Sequence, residues 1–234
     1  MSEPHVLKAT PVDLLRSAAK KVTSGEVLSN RFLQQAAFYG GRYLKNYLQH
    51  REGAYYLFLC RGCVGKCRYC AIKFSVVAVK SKPSAAVLEE LREGWEKGHR
   101  FYSLLGDDPG CYGLDINSSF PELLEALVAE SAKLDSRQQG RHVGFEIKEM
   151  HPKFLIRYID RLRQLPLERV DNLLCPIQSG SDRVLEAMQR EHSAAEIRDA
   201  LLSLRQKFPG MALDTQIIAG VPAATEAQLR NNLY

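Results

Sequence analysis

One stretch organises this chain: Arg61-Gly62-Cys63-Val64-Gly65-Lys66-Cys67-Arg68-Tyr69-Cys70. Its cysteines have the spacing C-x3-C-x2-C, which places three thiolates on one short loop. They can converge on a soft metal centre, but iron–sulfur clusters are normally held by four cysteines. Three ligands leave one metal position open, and an open position distinguishes a catalytic metal site from a structural one. Tyr69, directly before the last cysteine, can stack on a flat ligand.

The other three cysteines leave alternatives open. Cys60 extends the pattern to C-x2-C-x3-C-x2-C, which a structural zinc site or a closed four-cysteine cluster would also use. Zinc ribbons usually separate their two cysteine pairs by about a dozen residues or more, so three is cramped. Because Cys60 ends an apolar run, it also fits a small buried side chain. Cys111 and Cys175 fit core residues, although a holding or relay role at the site is a further alternative.

The composition predicts a soluble globular protein. The chain has 234 residues, 45% of them hydrophobic and 25% charged, with a net charge of +5. This predicts one domain with an appendage. No apolar run approaches the length of a membrane span, and the first residues lack signal-peptide architecture. Clustered cysteines without a signal peptide favour reduced thiols and a cytoplasmic location.

Residues 1–54 predict a helical N-terminal extension, because apolar residues recur at helical spacing after the start signal Thr10-Pro11. The segment holds eight Lys/Arg and four Asp/Glu, a net of +4, and it contains no cysteine. We interpret it as a helical cap with solvated charges. The alternative is a nucleic-acid-facing patch that uses Tyr39, Tyr43 and Tyr47.

Residues 55–234 alternate strand and helix patterns, which predicts an α/β fold with a parallel sheet and right-handed crossovers. Five strand–helix units can be counted, and the last predicted strands cover 169–177 and 211–220. In barrels of this kind the chemistry lies at the carboxyl ends of the strands. The polar or glycine residues at those ends, besides the cysteine loop, are Asp107, Asp108, Glu146, Lys148, Gln178, Ser179 and Gly220.

The cysteine spacing, with an aromatic before the last cysteine, resembles that of the radical S-adenosylmethionine (SAM) superfamily. Further segments from about Tyr55 to Leu233 are similar to its methylthiotransferase branch, which modifies tRNA or ribosomal protein. They are Leu105-Gly106-Asp107-Asp108 with Tyr112-Gly113-Leu114-Asp115, Pro176-Ile177-Gln178-Ser179-Gly180-Ser181 continuing to Met188-Gln189-Arg190, and Ile217-Ile218-Ala219-Gly220-Val221-Pro222. The resemblance implies a partial (β/α)6 TIM-like barrel, here ending after about five units, so that the chain is a fragment or a reduced form.

The resemblance also implies cofactors and site residues. Cys63, Cys67 and Cys70 match the ligands of a [4Fe–4S] cluster, which would reductively cleave SAM to a 5′-deoxyadenosyl radical. An electron donor of the flavodoxin or ferredoxin kind would supply the electron. The remaining assignments are adenine contacts from Tyr69 and Gly220, ribose or methionyl contacts from Gln178, Ser179 and Glu146, and carboxylate pairing from Arg183 or Lys148.

The chain departs from that branch in two ways. An Arg-Gly pair after the cluster is replaced by Val76-Val77, and the Gly-Glu of a later P-G-E-T is replaced by Ala223-Ala224. The branch's N-terminal domain with a second cluster and its C-terminal RNA-binding domain are also absent from this sequence. Three hypotheses follow: a methylthiotransferase-like enzyme acting on RNA or protein, a radical SAM enzyme that methylates or dehydrogenates a small molecule, and a non-catalytic iron–sulfur or zinc module.

Overall fold

A computed structural model describes residues 54–75, 78–136, 143–222, 224–225 and 227–228. The predicted helical extension over residues 1–54 lies outside this range except for Ala54, so it stays a prediction. Val76, Val77 and Ala223, three of the four positions that depart from the methylthiotransferase pattern, also lie outside the described residues.

The described chain forms a six-stranded, mostly parallel sheet in the order β2-β1-β3-β4-β5-β6. Its strands are β1 (Ala54–Arg61), β2 (Lys80–Ser81), β3 (Phe101–Gly106), β4 (Gly144–Ile147), β5 (Val170–Leu174) and β6 (Ala212–Asp214). Five of them are parallel neighbours, and only β2 runs antiparallel, against β1. Residues of β4 are buried throughout, as expected of a central parallel strand covered on both faces. The five predicted parallel strands are therefore confirmed.

Helices connect these strands as the alternating pattern predicts. They are α1 (Ile72–Ser75), α2 (Ser84–Glu96), α3 (Phe120–Asp135), α4 (Pro152–Gln164), α5 (Asp182–Ala187) and α6 (Ala194–Lys207), with short 3-10 turns at Pro109–Cys111 and Leu167–Arg169. Local sequence explains several starts. Ser193 and Glu196 form a capping box at α6. Proline occupies the first turn of α3 and of α4, where its missing N–H costs nothing.

The core lies between the sheet and these helices. Each of β1, β3 and β4 contributes fully buried side chains to it, among them Leu57, Tyr102 and Phe145. The buried hydroxyl of Tyr102 donates a hydrogen bond to the Leu91 carbonyl of α2 at 3.0 Å, so the ring adds apolar area without an unpaired polar atom. α2 packs against α3, and α4 packs against α6.

The two C-terminal strands are shorter than the predicted ranges 169–177 and 211–220. β5 ends at Leu174, and β6 ends at Asp214. Pro176 cannot donate to a sheet ladder. The Thr215 hydroxyl replaces the ladder there, accepting from the Ile177 N–H at 3.1 Å and donating to the Cys175 carbonyl at 2.8 Å. Parallel pairing returns only as a single bridge between Gln178 and Ile217. These exchanges keep the two chain segments together beyond the ends of their strands.

The sheet is open within the described residues, with β2 and β6 at its two edges. This agrees with the predicted partial barrel of about five parallel units. The sequence pattern did not predict β2, which consists of two residues only. None of the helices in the described ranges combines the length and the apolar character that crossing a membrane requires.

Gly113→Ala is expected to destabilise the fold far more than Gly98→Ala. Both glycines have left-handed backbone angles, with φ of +88° and +93°. A Cβ on Gly113 would lie 2.2 Å from the Ser118 carbonyl carbon, whereas one on Gly98 meets nothing within 4 Å. We expect losses of about 3 kcal/mol or more and about 1 kcal/mol, respectively. Urea unfolding of the cluster-free protein measures both, and equal losses would show that the Ser118 contact relaxes freely.

Candidate active site

The cysteine loop leaves the carboxyl end of β1 and is held there by main-chain contacts. The Asp107 carboxylate, at the end of β3, accepts a hydrogen bond from the Gly62 N–H at 2.6 Å. Gly62 has φ +84°, and a Cβ there would lie 2.6 Å from the Ala78 carbonyl oxygen. Further along, the Arg68 N–H donates to the Met188 carbonyl at 3.0 Å. The loop is thus tied to β3 and to the end of α5.

Two of the predicted ligand sulfurs lie around Gly65. A Cβ built on this glycine would be 3.2 Å from Cys63 Sγ and 3.7 Å from Cys67 Sγ. The Gly65 N–H also donates to Cys63 Sγ at 3.2 Å. Cys70 follows in a tight turn, with its N–H 3.3 Å from the Cys67 carbonyl. A glycine between the two sulfurs leaves room that any other residue would fill.

Cys67 Sγ lies among polar side chains from distant parts of the chain. His151 Nε2 is 3.6 Å from this sulfur, and Arg190 Nη1 is 3.5 Å from it. The same arginine donates to the Tyr69 hydroxyl at 2.9 Å and to the Pro176 carbonyl at 2.5 Å. Arg190 therefore links the cysteine loop to the segment that follows β5.

Asp108 is the buried acid of the site, with 2% of its surface exposed. Its carboxylate accepts from the Gly110 N–H at 3.0 Å and from the His151 N–H at 3.2 Å. It also lies 3.6 Å from Cys63 Sγ and 3.5 Å from Cys111 Sγ. Burial raises the pKa of Asp108, and the hydrogen bonds from His151 and Gly110 oppose that rise.

Cys111 is a neighbour of Cys63 that the spacing alone did not place. Among the described residues, the group of metal-ligating side chains whose ligand atoms all lie within 4.8 Å of one another is Cys63, Asp108 and Cys111. The hydrogen bond from Cys111 lowers the pKa of the Cys63 thiol, and the same bond together with burial raises the pKa of Cys111. Cys111 thus favours the thiolate form of Cys63.

Cys60 and Cys175 behave as buried core residues. Cys60 lies within β1, and its thiol faces the Asp108 carbonyl at 3.3 Å. Burial is the main cause that raises the pKa of each thiol to about 12. None of the six cysteines, all of which lie in the described ranges, forms a disulfide.

Glu146 and Lys148 come together at the carboxyl end of β4. Glu146 is buried, with 2% of its surface exposed, and its Oε2 lies 3.1 Å from Lys148 Nζ. The Ser103 hydroxyl of the neighbouring strand β3 donates to its other oxygen. The two predicted site residues therefore form an ion pair with each other, with the lysine about one-third exposed at 38%.

Gln178 and Ser179 lie just beyond β5. Gln178 has φ +70° and is buried, with 7% of its surface exposed. Its Oε1 is buried without a hydrogen-bond partner in the described structure. Ser179 is 2% exposed, and its hydroxyl accepts from the Ser181 N–H at 3.1 Å in the turn before α5. An orphaned buried amide oxygen marks Gln178 as a position for a ligand donor.

The remaining predicted residues are more exposed. Arg183 is exposed on α5, and the arginine that contacts the cysteine loop is Arg190. Gly220 is exposed with φ +76°, and a Cβ there would meet nothing within 4 Å. Tyr69 is 45% exposed, and burial raises the pKa of its hydroxyl to about 12 despite the opposing charge of Arg190.

Sequence reasoning missed His151 and His192 and quoted Arg190 only as part of a motif. The ring of His151 meets that of His192 edge to face, with centroids 6.0 Å apart. Burial lowers the pKa of His151, and the charge of Arg190 lowers it further. The sequence carries one signal for His151. This histidine directly precedes Pro152 at the start of a helix, which is the N-cap position.

The cluster-free protein is expected to lose stability as the pH falls below about 6.5. Burial and then Arg190 lower the folded-state pKa of His192 from 6.5 to about 4, although Glu196 and Asp182 oppose them. The unfolded chain therefore binds the proton first, at a cost of at most about 1.4 kcal/mol per pH unit. The test is urea unfolding from pH 7 to pH 4, where His192→Phe should flatten the slope. An unchanged slope would contradict the assignment to His192, since the neighbouring His151 is present in both proteins.

Comparison with known proteins shows the family to which the chain belongs. A profile described as Radical SAM superfamily matches residues 57–233, most of the chain. The chain therefore belongs to the radical SAM superfamily.

Two curated relatives carry a more particular name. A protein of Methanocaldococcus jannaschii named probable threonylcarbamoyladenosine tRNA methylthiotransferase is 31% identical over 177 residues, which are 75% of this chain and 39% of that protein. The threonylcarbamoyladenosine tRNA methylthiotransferase of Drosophila melanogaster is 33% identical over 167 residues, covering 70% of this chain and 29% of that one. The chain thus spans well under half the length of these two relatives.

Solved structures show the same fold at low identity. TsrM from Kitasatospora setae, a radical S-adenosylmethionine methyltransferase, aligns with a TM-score of 0.59 at 14% identity, covering 81% of this chain and 34% of TsrM. The cobalamin-dependent S-adenosylmethionine radical enzyme OxsB aligns with a TM-score of 0.61 at 15% identity, covering 77% and 26%. These likenesses confirm the predicted α/β architecture.

Proposed function

We propose that this chain is the core of a radical SAM enzyme that reductively cleaves SAM at a [4Fe–4S] cluster held by Cys63, Cys67 and Cys70. The carrying observation is the position of two ligand sulfurs about Gly65, on a loop tied to the ends of β1 and β3. Hydrogen bonding lowers the pKa of Cys63, which favours the thiolate that metal binding requires. Three cysteines on one loop fit a cluster that keeps one iron open to SAM. The further thiol beside Cys63, that of Cys111, comes from the turn after β3.

The bound cluster would supply one electron to cleave SAM into methionine and a 5′-deoxyadenosyl radical, while the protein positions the reactants and excludes water. The orphaned Oε1 of Gln178 would accept a hydrogen bond from the methionyl or ribose part. Arg190, already at Tyr69 and Cys67, offers a guanidinium fork to a carboxylate. Tyr69 and Gly220 would contact adenine, and Ser179 shapes the turn beside Gln178.

Glu146 and Lys148 would hold the polar side of SAM or of its substrate. Their ion pair is about 3.1 Å long and partly exposed, so the lysine can exchange partners when an anion binds. Arg183 is exposed on α5 and is better suited to a surface role, such as a contact with the substrate or the electron donor.

The substrate that the relatives favour is a modified adenosine in tRNA, where a methylthio group would replace a hydrogen on carbon. The 5′-deoxyadenosyl radical would take the hydrogen, sulfide would supply the sulfur and a second SAM the methyl group. This rests on the names of the two tRNA methylthiotransferases, at 31% and 33% identity. A small protein of the flavodoxin or ferredoxin kind would deliver the electron.

The experiment is anaerobic reconstitution with iron and sulfide, followed by dithionite and SAM, with 5′-deoxyadenosine measured by mass spectrometry. We expect its formation to depend on dithionite. Adding tRNA then separates the outcomes. A methylthio-modified adenosine within the tRNA supports sulfur insertion, with the added sulfide as the sulfur source, and a sulfur-free modification supports methylation or dehydrogenation. A cluster that forms without cleaving SAM, or zinc in place of iron, would overturn the proposal in favour of a non-catalytic module.

A further inference from the structure

The imidazole of His151 makes two contacts that together determine which of its nitrogens carries the proton. His151 precedes α4 as its N-cap residue, and its Nδ1 accepts a hydrogen bond from the Lys153 N–H at 3.2 Å. Its other nitrogen, Nε2, lies 3.6 Å from Cys67 Sγ. One ring thus connects the start of a helix to a ligand sulfur 84 positions away in sequence.

A main-chain N–H can only donate, so Nδ1 must be the unprotonated nitrogen of the ring. In a neutral imidazole the proton then resides on Nε2, which is the nitrogen that faces Cys67. Capping the helix therefore selects the tautomer that donates to the sulfur. The same imidazole therefore caps the helix and contacts the sulfur.

The ring has little freedom to leave this position. His151 is 6% exposed, and its main-chain N–H donates to the buried Asp108 carboxylate at 3.2 Å. The ring of His192, itself 9% exposed, packs edge-on at 6.0 Å between centroids. Arg190 approaches the same sulfur at 3.5 Å, on the side of the segment that follows β5.

We propose that His151 is a positioning residue that donates a hydrogen bond from Nε2 to the Cys67 sulfur and thereby raises the reduction potential of the cluster. This rests on the cluster assignment proposed above. Reduction adds one electron and no proton, so negative charge on the ligand sulfurs grows, and a donor stabilises the reduced state more than the oxidised one. The effect makes the cluster easier to reduce by a biological donor.

The test is His151→Ser in the reconstituted protein, followed through a redox titration with dithionite by electron paramagnetic resonance. Serine keeps a good N-cap for α4 but is too short to reach Cys67. We expect the ratio of reduced to oxidised cluster at a fixed potential to fall about tenfold, equal to about 59 mV for one electron. His99→Ser is the matched control, because that ring packs on Tyr55 at 5.1 Å and should leave the potential unchanged.

A potential for His151→Ser equal to that of the wild type would overturn the proposal, and so would an equal shift in His99→Ser. Iron and sulfide content of the wild-type protein is measured first. If the wild type assembles no cluster, that result counts against the proposed function and not against the His151 tautomer. The tautomer is tested independently in the cluster-free protein by long-range 15N–1H spectra of the imidazole. A proton on Nδ1 of His151 would overturn the inference even if SAM is cleaved normally.

Discussion

Cys67→Ala is expected to abolish the cluster and the cleavage of SAM, with 5′-deoxyadenosine falling to the level of a protein-free control. Cys67 is the most enclosed of the three proposed ligands, with 6% of its surface exposed, and its sulfur is approached by His151 and Arg190. Alanine removes the thiolate and with it the acceptor that His151 and Arg190 approach. Iron content, the visible absorption of the cluster and 5′-deoxyadenosine report the loss.

Cys60→Ala is the matched control for this experiment. Its thiol faces the Asp108 carbonyl inside the core, and burial raises its pKa to about 12, which disfavours ligation as a thiolate. We expect the Cys60 variant to retain iron and SAM cleavage, with a loss of stability of about 1 kcal/mol from the small cavity. Equal loss of iron in both variants would instead support a closed four-cysteine site.

Arg190→Ala is expected to reduce SAM cleavage about tenfold to a hundredfold, whereas Arg183→Ala should leave it within about twofold. Hydrogen bonds to charged groups contribute about 1.5 to 3 kcal/mol, and Arg190 is the arginine at Cys67, Tyr69 and Pro176. Arg183 is exposed on α5. The measurement is the rate of 5′-deoxyadenosine formation against SAM concentration, at equal cluster content.

Arg190→Lys separates charge from geometry. Lysine keeps the positive charge but not the planar fork that spans the Tyr69 hydroxyl and the Pro176 carbonyl. We expect it to restore less than half of the lost activity. A loss in Arg183→Ala as large as that in Arg190→Ala would show that the arrangement around Arg190 is not what the reaction uses.

Prolines, glycines and apolar runs predicted most of the architecture. The runs that became β1 and β3 are apolar and short, and their alternation with helical segments was enough to predict parallel strands. The two C-terminal strands were predicted too long, because Pro176 and the Thr215 hydroxyl end the ladder early. Such ends depend on contacts between segments about 40 residues apart, which local pattern does not contain.

Candidate site residues divide in the same way. Glu146 and Gln178 were predicted from their places at strand ends, and both are buried in the structure. Glu146 lies within β4, and Gln178 lies beyond the end of β5. Arg183 was named with Lys148 as a carboxylate partner, whereas Arg190 was quoted only within a motif. Sequence spacing does not tell that the Arg190 side chain reaches the cysteine loop. Asp108 was predicted to lie at the end of its strand, but its contacts to two thiols came only with the fold.

By itself, the sequence determined the cysteine spacing, the alternation of strands and helices, and the polar residues at the strand ends, since each depends on neighbours within about ten residues. The tertiary structure alone decided that Cys67 meets His151 and Arg190, which are 84 and 123 positions away. It also decided that Cys111 lies beside Cys63. The reason is physical: parallel strands bring their ends to one edge whatever the loops contain, but which side chain reaches a sulfur depends on how each helix packs.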